Sequence, residues 1–444
     1  MQGWKAGVKA NISVKGKAAT CASRVLQGYA APYSATVAQL LERQGANLVA
    51  NLDMDEFGMG SYGIHSSSGH TVNPLDRRRV AGGSSSGCAA SVADGSVRVA
   101  IGTDTGGSVR LPASYCGVIG FKPTYGRFSR WGVISYASSL DTVGILSRSV
   151  DDCEKVYGVL NVRDPKDPTS LKLPNSSSVL SKSTESPLNG LSIGVPTHIS
   201  PLLSQTVLER YSDALYHLES LGATIKPISL NHMEHALGSY YTIACAEASS
   251  NLARYDGIRY GSQTSSTTAA ENKTANAIED VRFLFGDVVQ RRIMLGSFVL
   301  GSSAYSSYFA QSQKIRRLVQ QSYNAVFKDS HPITPSASQQ LVDFILTPAS
   351  ATTAPLKSTV EAGEIEDECN DDVLTVPISL AGLPAIVLPW NNVNSSAAAA
   401  QAADAACKSD EDMPVGMQLV AQFGHDAKLF SVAKVMESRK FQSQ

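Results

Sequence analysis

The chain has 444 residues, of which 43% are hydrophobic and 17% charged. That balance excludes a disordered chain and supplies enough apolar material for a large core. With 38 Lys plus Arg against 39 Asp plus Glu, the formal charge is −1, so no overall attraction draws the chain to a phosphate backbone or an anionic membrane.

No run of 18 apolar residues suggests a membrane span. The seven cysteines are scattered and include no Cys-x-x-Cys pair, which argues against a disulfide framework and a thiolate metal site. The start is basic: Lys5, Lys9, Lys15, Lys17 and Arg24 all precede the first acid, Glu42. Two readings fit it, a mitochondrial transit segment or the first strand and loop of the mature domain.

Val37, Leu40 and Leu41 carry a helical period, and Asn47–Leu52 reads as a strand. Val97–Gly102 and Gly117–Lys122 read as buried strands around a glycine-rich turn. Val207, Leu208, Tyr211, Leu215 and Leu218 predict a helix, followed by a strand over Ala223–Leu230. Asp287–Lys328 is mainly helical, with breaks expected near Gly296 and Gly301. Phe344–Thr347 and Ala385–Pro389 are strand-like, and the tail from Asp426 is helical. Strands alternating with helices predict an α/β protein with a largely parallel sheet. The Ser-rich 175–187 and the alanine-rich 391–412 read as surface insertions.

Four short motifs are decoys. Gly58-Met-Gly60-Ser-Tyr-Gly63 has dinucleotide spacing but follows acids, with no helix after it. Gly83-Ser84-Ser85-Ser86-Gly87 has nucleophile-elbow spacing without a preceding strand. Ser431-Val-Ala-Lys434 sits in the tail helix without companion motifs. His232-Met-Glu-His235 lacks the i, i+4 spacing of a helical metal pair, and no metal is expected.

The informative stretch is Gly82–Gly126. Within it, Thr103-Asp-Thr-Gly-Gly-Ser108 follows an apolar strand and puts a hydroxyl directly after two glycines. Glycines tolerate positive φ and so allow several N–H groups to converge. Converging donors beside a serine suit acyl transfer, with an oxyanion hole next to a nucleophile. A serine nucleophile needs a base, and no histidine is near in sequence. Lys9 and Ser84 are the candidates. Burial in a glycine-walled pocket favours the neutral lysine, and a second serine hydroxyl can donate and accept at once.

These residues resemble the amidase signature enzymes. Gly82–Gly126 is similar to the family signature, and Gly7-Val-Lys9-Ala-Asn-Ile12 to its lysine-bearing strand. The separations agree as well, 75 residues from Lys9 to Ser84 and 24 from Ser84 to Ser108. The resemblance implies one α/β amidase domain over 1–444, with a large mixed, mostly parallel sheet covered by helices on both faces. It implies a longer helical front than the eight residues before Lys9, so the N-terminus reads as shortened. It also implies a Ser–cis-Ser–Lys triad: Ser108 as nucleophile, Ser84 as bridge, Lys9 as base. Thr105, Gly106, Gly107 and the Ser108 amide would form the oxyanion hole. Arg110 and Asp141 read as supports.

Within the family, the chain is similar to the glutaminase subunits of tRNA-dependent amidotransferases, of the yeast mitochondrial type. Asn51–Phe57, Ser138–Asp141, Tyr240–Gly261, Arg291–Gly296, Asp372–Pro377 and Pro414–Leu419 carry that likeness. It implies that Arg292 holds the carboxylate of glutamine, Asp372 its ammonium, and Tyr240 its side-chain end. The neighbours Arg291, Asp371 and Tyr241 leave the choice within each pair open. It further implies a B-type partner that receives ammonia and holds ATP and Mg, a small third partner of the F type, tRNA held mainly by these partners, and a mitochondrial matrix location. No cofactor is expected in this chain. A stand-alone amidase for small, fatty or aryl amides is the alternative, and a third reading is a non-enzymatic assembly protein.

Overall fold

The computed structural model describes residues 1–173, 180, 186–261, 281–334, 341–362, 371–390 and 408–438. In chain order the elements begin β1 (Lys5–Lys9), α1 (Thr36–Arg43), β2 (Asn47–Leu52), α2 (Ser86–Ala93), β3 (Val99–Asp104), α3 (Arg110–Cys116) and β4 (Ile119–Lys122). They continue with β5 (Thr142–Ser147), α4 (Val150–Leu160), β6 (Ser192–Pro196), α5 (Gln205–Ser220), β7 (Thr224–Ile228) and α6 (Ala236–Leu252). The rest are α7 (Asp287–Leu300), α8 (Phe309–Val326), β8 (Phe344–Pro348), α9 (Lys357–Glu361), α10 (Val376–Leu380), β9 (Ala385–Trp390), β10 (Val415–Val420) and α11 (Asp426–Ser438). No helix among the described residues is long and apolar enough to cross a membrane.

The strands form one ten-stranded sheet in the order β2-β1-β3-β5-β4-β9-β10-β8-β6-β7. Four neighbouring pairs are parallel: β2/β1, β1/β3, β8/β6 and β6/β7. Five are antiparallel: β3/β5, β5/β4, β4/β9, β9/β10 and β10/β8. The sheet is therefore mixed, as expected, but its centre is antiparallel and only its two ends are parallel. The expectation of a mostly parallel sheet failed for a physical reason. Helices cover both faces, so β3, β5, β8, β9 and β10 are buried throughout and show no inside-outside alternation. Such continuous apolar runs look like parallel strands in a sequence.

Alternate strand residues feed two cores. Leu346, Ile386 and Leu419 face one side with α1, α4, α5 and α11. Ile345, Ala385 and Val420 face the other with α6, α7, α8 and α10. The glycines of the signature matter for approach distance. Gly102 pairs with Gly144 across β3 and β5. A Cβ on Gly102 would stand 2.8 Å from Ser85 Oγ, and one on Gly144 would stand 3.0 Å from Val109 Cγ2. Bare backbone there lets the segments entering α2 and α3 lie directly on the sheet.

Most predicted elements stand within two residues of their expected ends. Gly296 does not break its helix; a Cβ there would collide with the Cys245 carbonyl, so it is the point where α7 packs closest to α6. The break comes at Gly301. Segments 175–187 and 391–412 lie mostly outside the described residues, which include 180, 186–187 and 408–412. At the end of the second, the Lys408 N–H donates to Asp76 at 3.1 Å and Asp410 accepts from Arg79 at 2.8 Å.

Candidate active site

β1 ends at Lys9 and its neighbour β3 ends at Asp104, so parallel pairing brings Lys9 beside Thr103. Lys9 Nζ donates to Ser84 Oγ at 2.9 Å, to Thr103 Oγ1 at 3.1 Å and to the Thr103 carbonyl at 3.3 Å. Asn11 Nδ2 donates to the same threonine hydroxyl at 3.0 Å. The Gly83–Ser84 peptide is cis. Lys9 is 0% exposed. Burial pushes its ammonium down to about 8, with Cys88, Asp55, Asp104 and Asp141 pulling the other way. A lysine in that state is a usable base near neutral pH.

Within Ile101–Arg110, Ser108 alone is partly exposed. The Ser85 N–H donates to the Ser108 carbonyl at 3.0 Å, so the two serine turns lie side by side. The Thr105–Gly107 backbone is held from behind. Arg110, fully buried, donates to both Asp104 carboxylate oxygens at 2.9 Å and to the Gly106 carbonyl at 2.8 Å. Ser379 Oγ donates to that carbonyl at 2.9 Å. Because the peptide is planar and trans, this turns the Gly107 N–H to the opposite side, away from Arg110. Burial works against the Asp104 charge, and Arg110 more than offsets it. Thr105 Oγ1 donates to Asp141 at 2.8 Å, and Asp141 also accepts from the Tyr136 and Ala137 amides. Burial raises the Asp141 carboxyl against these bonds. Arg110 and Asp141 thus support the loop from the buried side.

Neither Gly106 nor Gly107 has a positive φ, so conformational freedom is not what these positions require. They are needed for space. A Cβ on Gly106 would stand 2.7 Å from the Tyr240 hydroxyl, and one on Gly107 would collide with Thr375 Oγ1 and approach Asp372 Oδ1 to 3.2 Å. Those contacts put Tyr240 and Asp372 against the loop that precedes Ser108.

Asp372 is buried and accepts from Tyr241 Oη at 3.0 Å and Ser61 Oγ at 3.1 Å. Burial pushes its carboxyl up to about 7, against those two bonds. Arg292 Nη1 donates to Tyr136 Oη at 2.8 Å, and its guanidinium lies 5.1 Å from the Tyr241 ring centroid. Arg291 is exposed and turned back on the Asp287 carbonyl. Asp371 lies toward Tyr115 instead. Of each adjacent pair, then, Arg292 and Asp372 belong to this cluster, and both tyrosines do. Tyr136, Ser61 and Thr103 were given no role from sequence, and Tyr241 stood only as the alternative to Tyr240. Thr103 opens the Thr103–Ser108 stretch and Ser61 lies within Gly58–Gly63, but neither motif marks its hydroxyl, and Tyr136 stands outside both.

The helix α6 ties the two halves together. Tyr240, Glu247 and Asn251 fall on one helical face. Glu247 accepts from the Ser139 N–H at 2.8 Å and its hydroxyl at 2.5 Å, and Asn251 donates to the Tyr136 carbonyl at 3.1 Å. One end of α6 therefore touches Gly106 while the other clamps the turn that carries Asp141 to Thr105. The decoys resolve structurally. Gly63 and His65 wrap their N–H groups around the Asp55 carboxylate where a phosphate would need to sit. Ser85 Oγ is spent on the Thr103 carbonyl. Lys434 pairs with Asp151 and Glu154. No His/Cys/Asp/Glu group among the described residues could hold a metal.

A fully buried lysine joined to a serine on a glycine turn, beside a second serine and a backbone-lined loop, defines a class of hydrolase. A family model described as Amidase matches residues 2–430, and the chain belongs to this amidase signature family. More particular likenesses follow. The chain is 41% identical to the A subunit of the mitochondrial glutamyl-tRNA(Gln) amidotransferase of Mycosarcoma maydis, over 99% of this chain and 84% of that protein. It is 42% identical to the corresponding mitochondrial protein of Candida albicans strain SC5314, over 96% and 89%. Its fold is similar to the crystal structure of the glutamyl-tRNA(Gln) amidotransferase A subunit from Thermotoga maritima, with TM-score 0.75 and 34% identity, covering 98% of this chain and 84% of that one.

Proposed function

We propose that the protein is the glutaminase component of a glutamyl-tRNA(Gln) amidotransferase. The observation that carries this reading is the Arg292–Tyr241–Asp372 cluster, a cation and a carboxylate spaced by an aromatic ring, set against the loop before Ser108. A cation paired with a carboxylate suits a free α-amino acid, with Arg292 for its carboxylate and Asp372 for its ammonium. An apolar amide needs neither.

Lys9, neutral and acting through Ser84, takes the Ser108 proton as Oγ attacks the side-chain amide carbon. The tetrahedral oxygen settles on the amides of the Thr105–Ser108 loop. The carbon–nitrogen bond breaks, and the amine leaves as ammonia with the proton returned along Ser84. Water then attacks the glutamyl ester on the same relay and releases glutamate. Tyr240 lines the end of the pocket nearest Gly106.

The ammonia passes to a B-type partner, where ATP and Mg support amidation of Glu-tRNA(Gln). A small third partner of the F type completes the complex, and the partners carry most of the tRNA contact. The near-neutral charge of this chain agrees with that division. The whole chain reads as one domain. The mitochondrial relatives support a mitochondrial location, and the matrix is where such a complex would meet its tRNA.

The test is ammonia release from glutamine, measured for the lone chain and for the complex purified with its partners. Glutamine-specific release by the complex supports the reading. Equal release from simple amides that lack an α-carboxylate would instead mark a stand-alone amidase.

A further inference from the structure

We propose that the pocket between α8 and the Gly382 turn binds a phosphate-type oxyanion at a place distinct from the amide site. Its volume is about 200 Å³. Arg316, Arg317, Gln320, Asn324, His331 and Tyr125 line it, and no Asp or Glu is among its described lining residues.

The donor inventory is one-sided. Arg316 spends Nε on the Leu380 carbonyl, Nη1 on Ser139 Oγ and Nη2 on the Ser139 carbonyl. A guanidinium has five N–H groups, so one on each terminal nitrogen remains beyond these bonds. His331 Nδ1 accepts from the Ile333 and Thr334 amides at 3.2 and 3.0 Å, which leaves Nε2 to carry the proton in the neutral ring. That ring is stacked on Phe423 at 4.5 Å, which fixes its plane. The carboxylate that pulls most on Arg316 is Glu247, whose oxygens are already engaged by Ser139. Glu247 offsets part of the Arg316 charge, but no lining carboxylate meets the two arginines within the recess, and oxyanions of phosphate type match the forked geometry of a guanidinium.

The position gives the site a consequence. The guanidinium that faces the pocket also holds Ser139, and Ser139 lies in the turn that brings Asp141 to Thr105. Since Arg316 has donors to spare, an anion adds bonds without breaking that clamp. Occupancy therefore stiffens the turn, and the melting temperature rises with ligand concentration.

The experiment titrates the full chain, alone or in its complex, with inorganic phosphate by calorimetry and by thermal melting. Arg317→Gln and Arg292→Gln are the two variants. Arg317 is exposed, so its loss spares the fold. We expect saturable phosphate binding that survives Arg292→Gln and weakens by about tenfold or more in Arg317→Gln, the loss of a charge-assisted bond. Phenyl phosphate separates two sources of the same group. Binding of phosphate alone indicates the free ion, and binding of both indicates the phosphate end of a larger ligand; either supports the site. Absence of saturation at millimolar phosphate, equal binding by Arg317→Gln, or loss of binding in Arg292→Gln would overturn it. The last result would mean that phosphate enters the amide site instead.

Discussion

Two regions meet at Ser108 and are built differently. The Lys9–Ser84–Thr103 centre hangs on the ends of β1 and β3 and on a cis peptide, with every member buried. The Tyr240–Arg292–Asp372 cluster hangs on α6, α7 and the turn before α10, and Arg292 and Tyr241 remain partly open. In the first, parallel strand pairing fixes the atoms. In the second, side chains reach inward from helices that pack on each other. Chemistry needs positions held within a fraction of an ångström, and a sheet supplies that. Recognition has to admit and release a ligand, and partly open helix residues suit it. The proposed division can be broken by experiment, starting with the largest effect.

Ser108→Ala removes the proposed nucleophile from a position that is partly open, so the fold should survive. Glutamine turnover should fall by about 10⁴ or more. Circular dichroism and a melt check the fold, and ammonia release checks the rate. Lys9→Ala should cost about 10² to 10⁴ in kcat, the scale of a lost general base, with KM little changed. Near-normal turnover in either variant would remove the sheet-borne centre from the mechanism.

Arg292→Ala tests the other region. It should raise KM for glutamine by about 10- to 100-fold, the value of a lost charge-assisted pair, while kcat for saturating glutamine changes far less. A fall in kcat with KM unchanged would place Arg292 in the chemistry and blur the division.

The pH profile should separate the two regions in one experiment. Lys9 acts as base only when neutral, so kcat should rise with pH through about 8. Asp372 must be ionised to hold an ammonium, and its carboxyl sits at about 7, so KM should rise as pH falls below 7. Asp372→Asn should flatten the KM limb and leave the kcat limb in place. If both limbs move together, the two sites titrate as one unit.

The unequal legibility of these regions has the same origin. Most of the sheet-borne centre could be read because Gly82–Gly126 carries Ser84, Thr103 and Ser108 in one stretch, with Lys9 alone outside it, and because a lysine, two serines and two glycines at set spacing suggest one chemistry. The helix-borne cluster came only through a family likeness. Taken alone, Arg292 is a helix residue and Asp372 a cap, and nothing in the sequence says that Tyr136, more than a hundred residues away, will accept a hydrogen bond from Arg292. The glycines were legible as a need and not as a reason: collisions with Tyr240 and Thr375, not φ, exclude a side chain. The antiparallel centre of the sheet was hidden because burial on both faces erased the alternation that would have marked it.

The smallest expected effect tests the element that joins the regions. Glu247 reaches from α6 to both the N–H and the hydroxyl of Ser139. Glu247→Gln keeps the shape but leaves one acceptor oxygen for two donors, and it removes the carboxylate that offsets Arg316. The turn would still be held by the two Arg316 bonds to Ser139 and by the Asn251 bond to the Tyr136 carbonyl. Asp141 would keep its Tyr136 and Ala137 amides and its Thr105 hydroxyl. Stability should therefore fall by about 1–2 kcal/mol, the cost of one poorly met polar group, and kcat by no more than a few-fold. Denaturant melts and steady-state rates on the same preparation measure both. A loss as large as that of Lys9→Ala would mean that the helices position the reacting groups as directly as the sheet does, and that chemistry and recognition are not divided between the two layers.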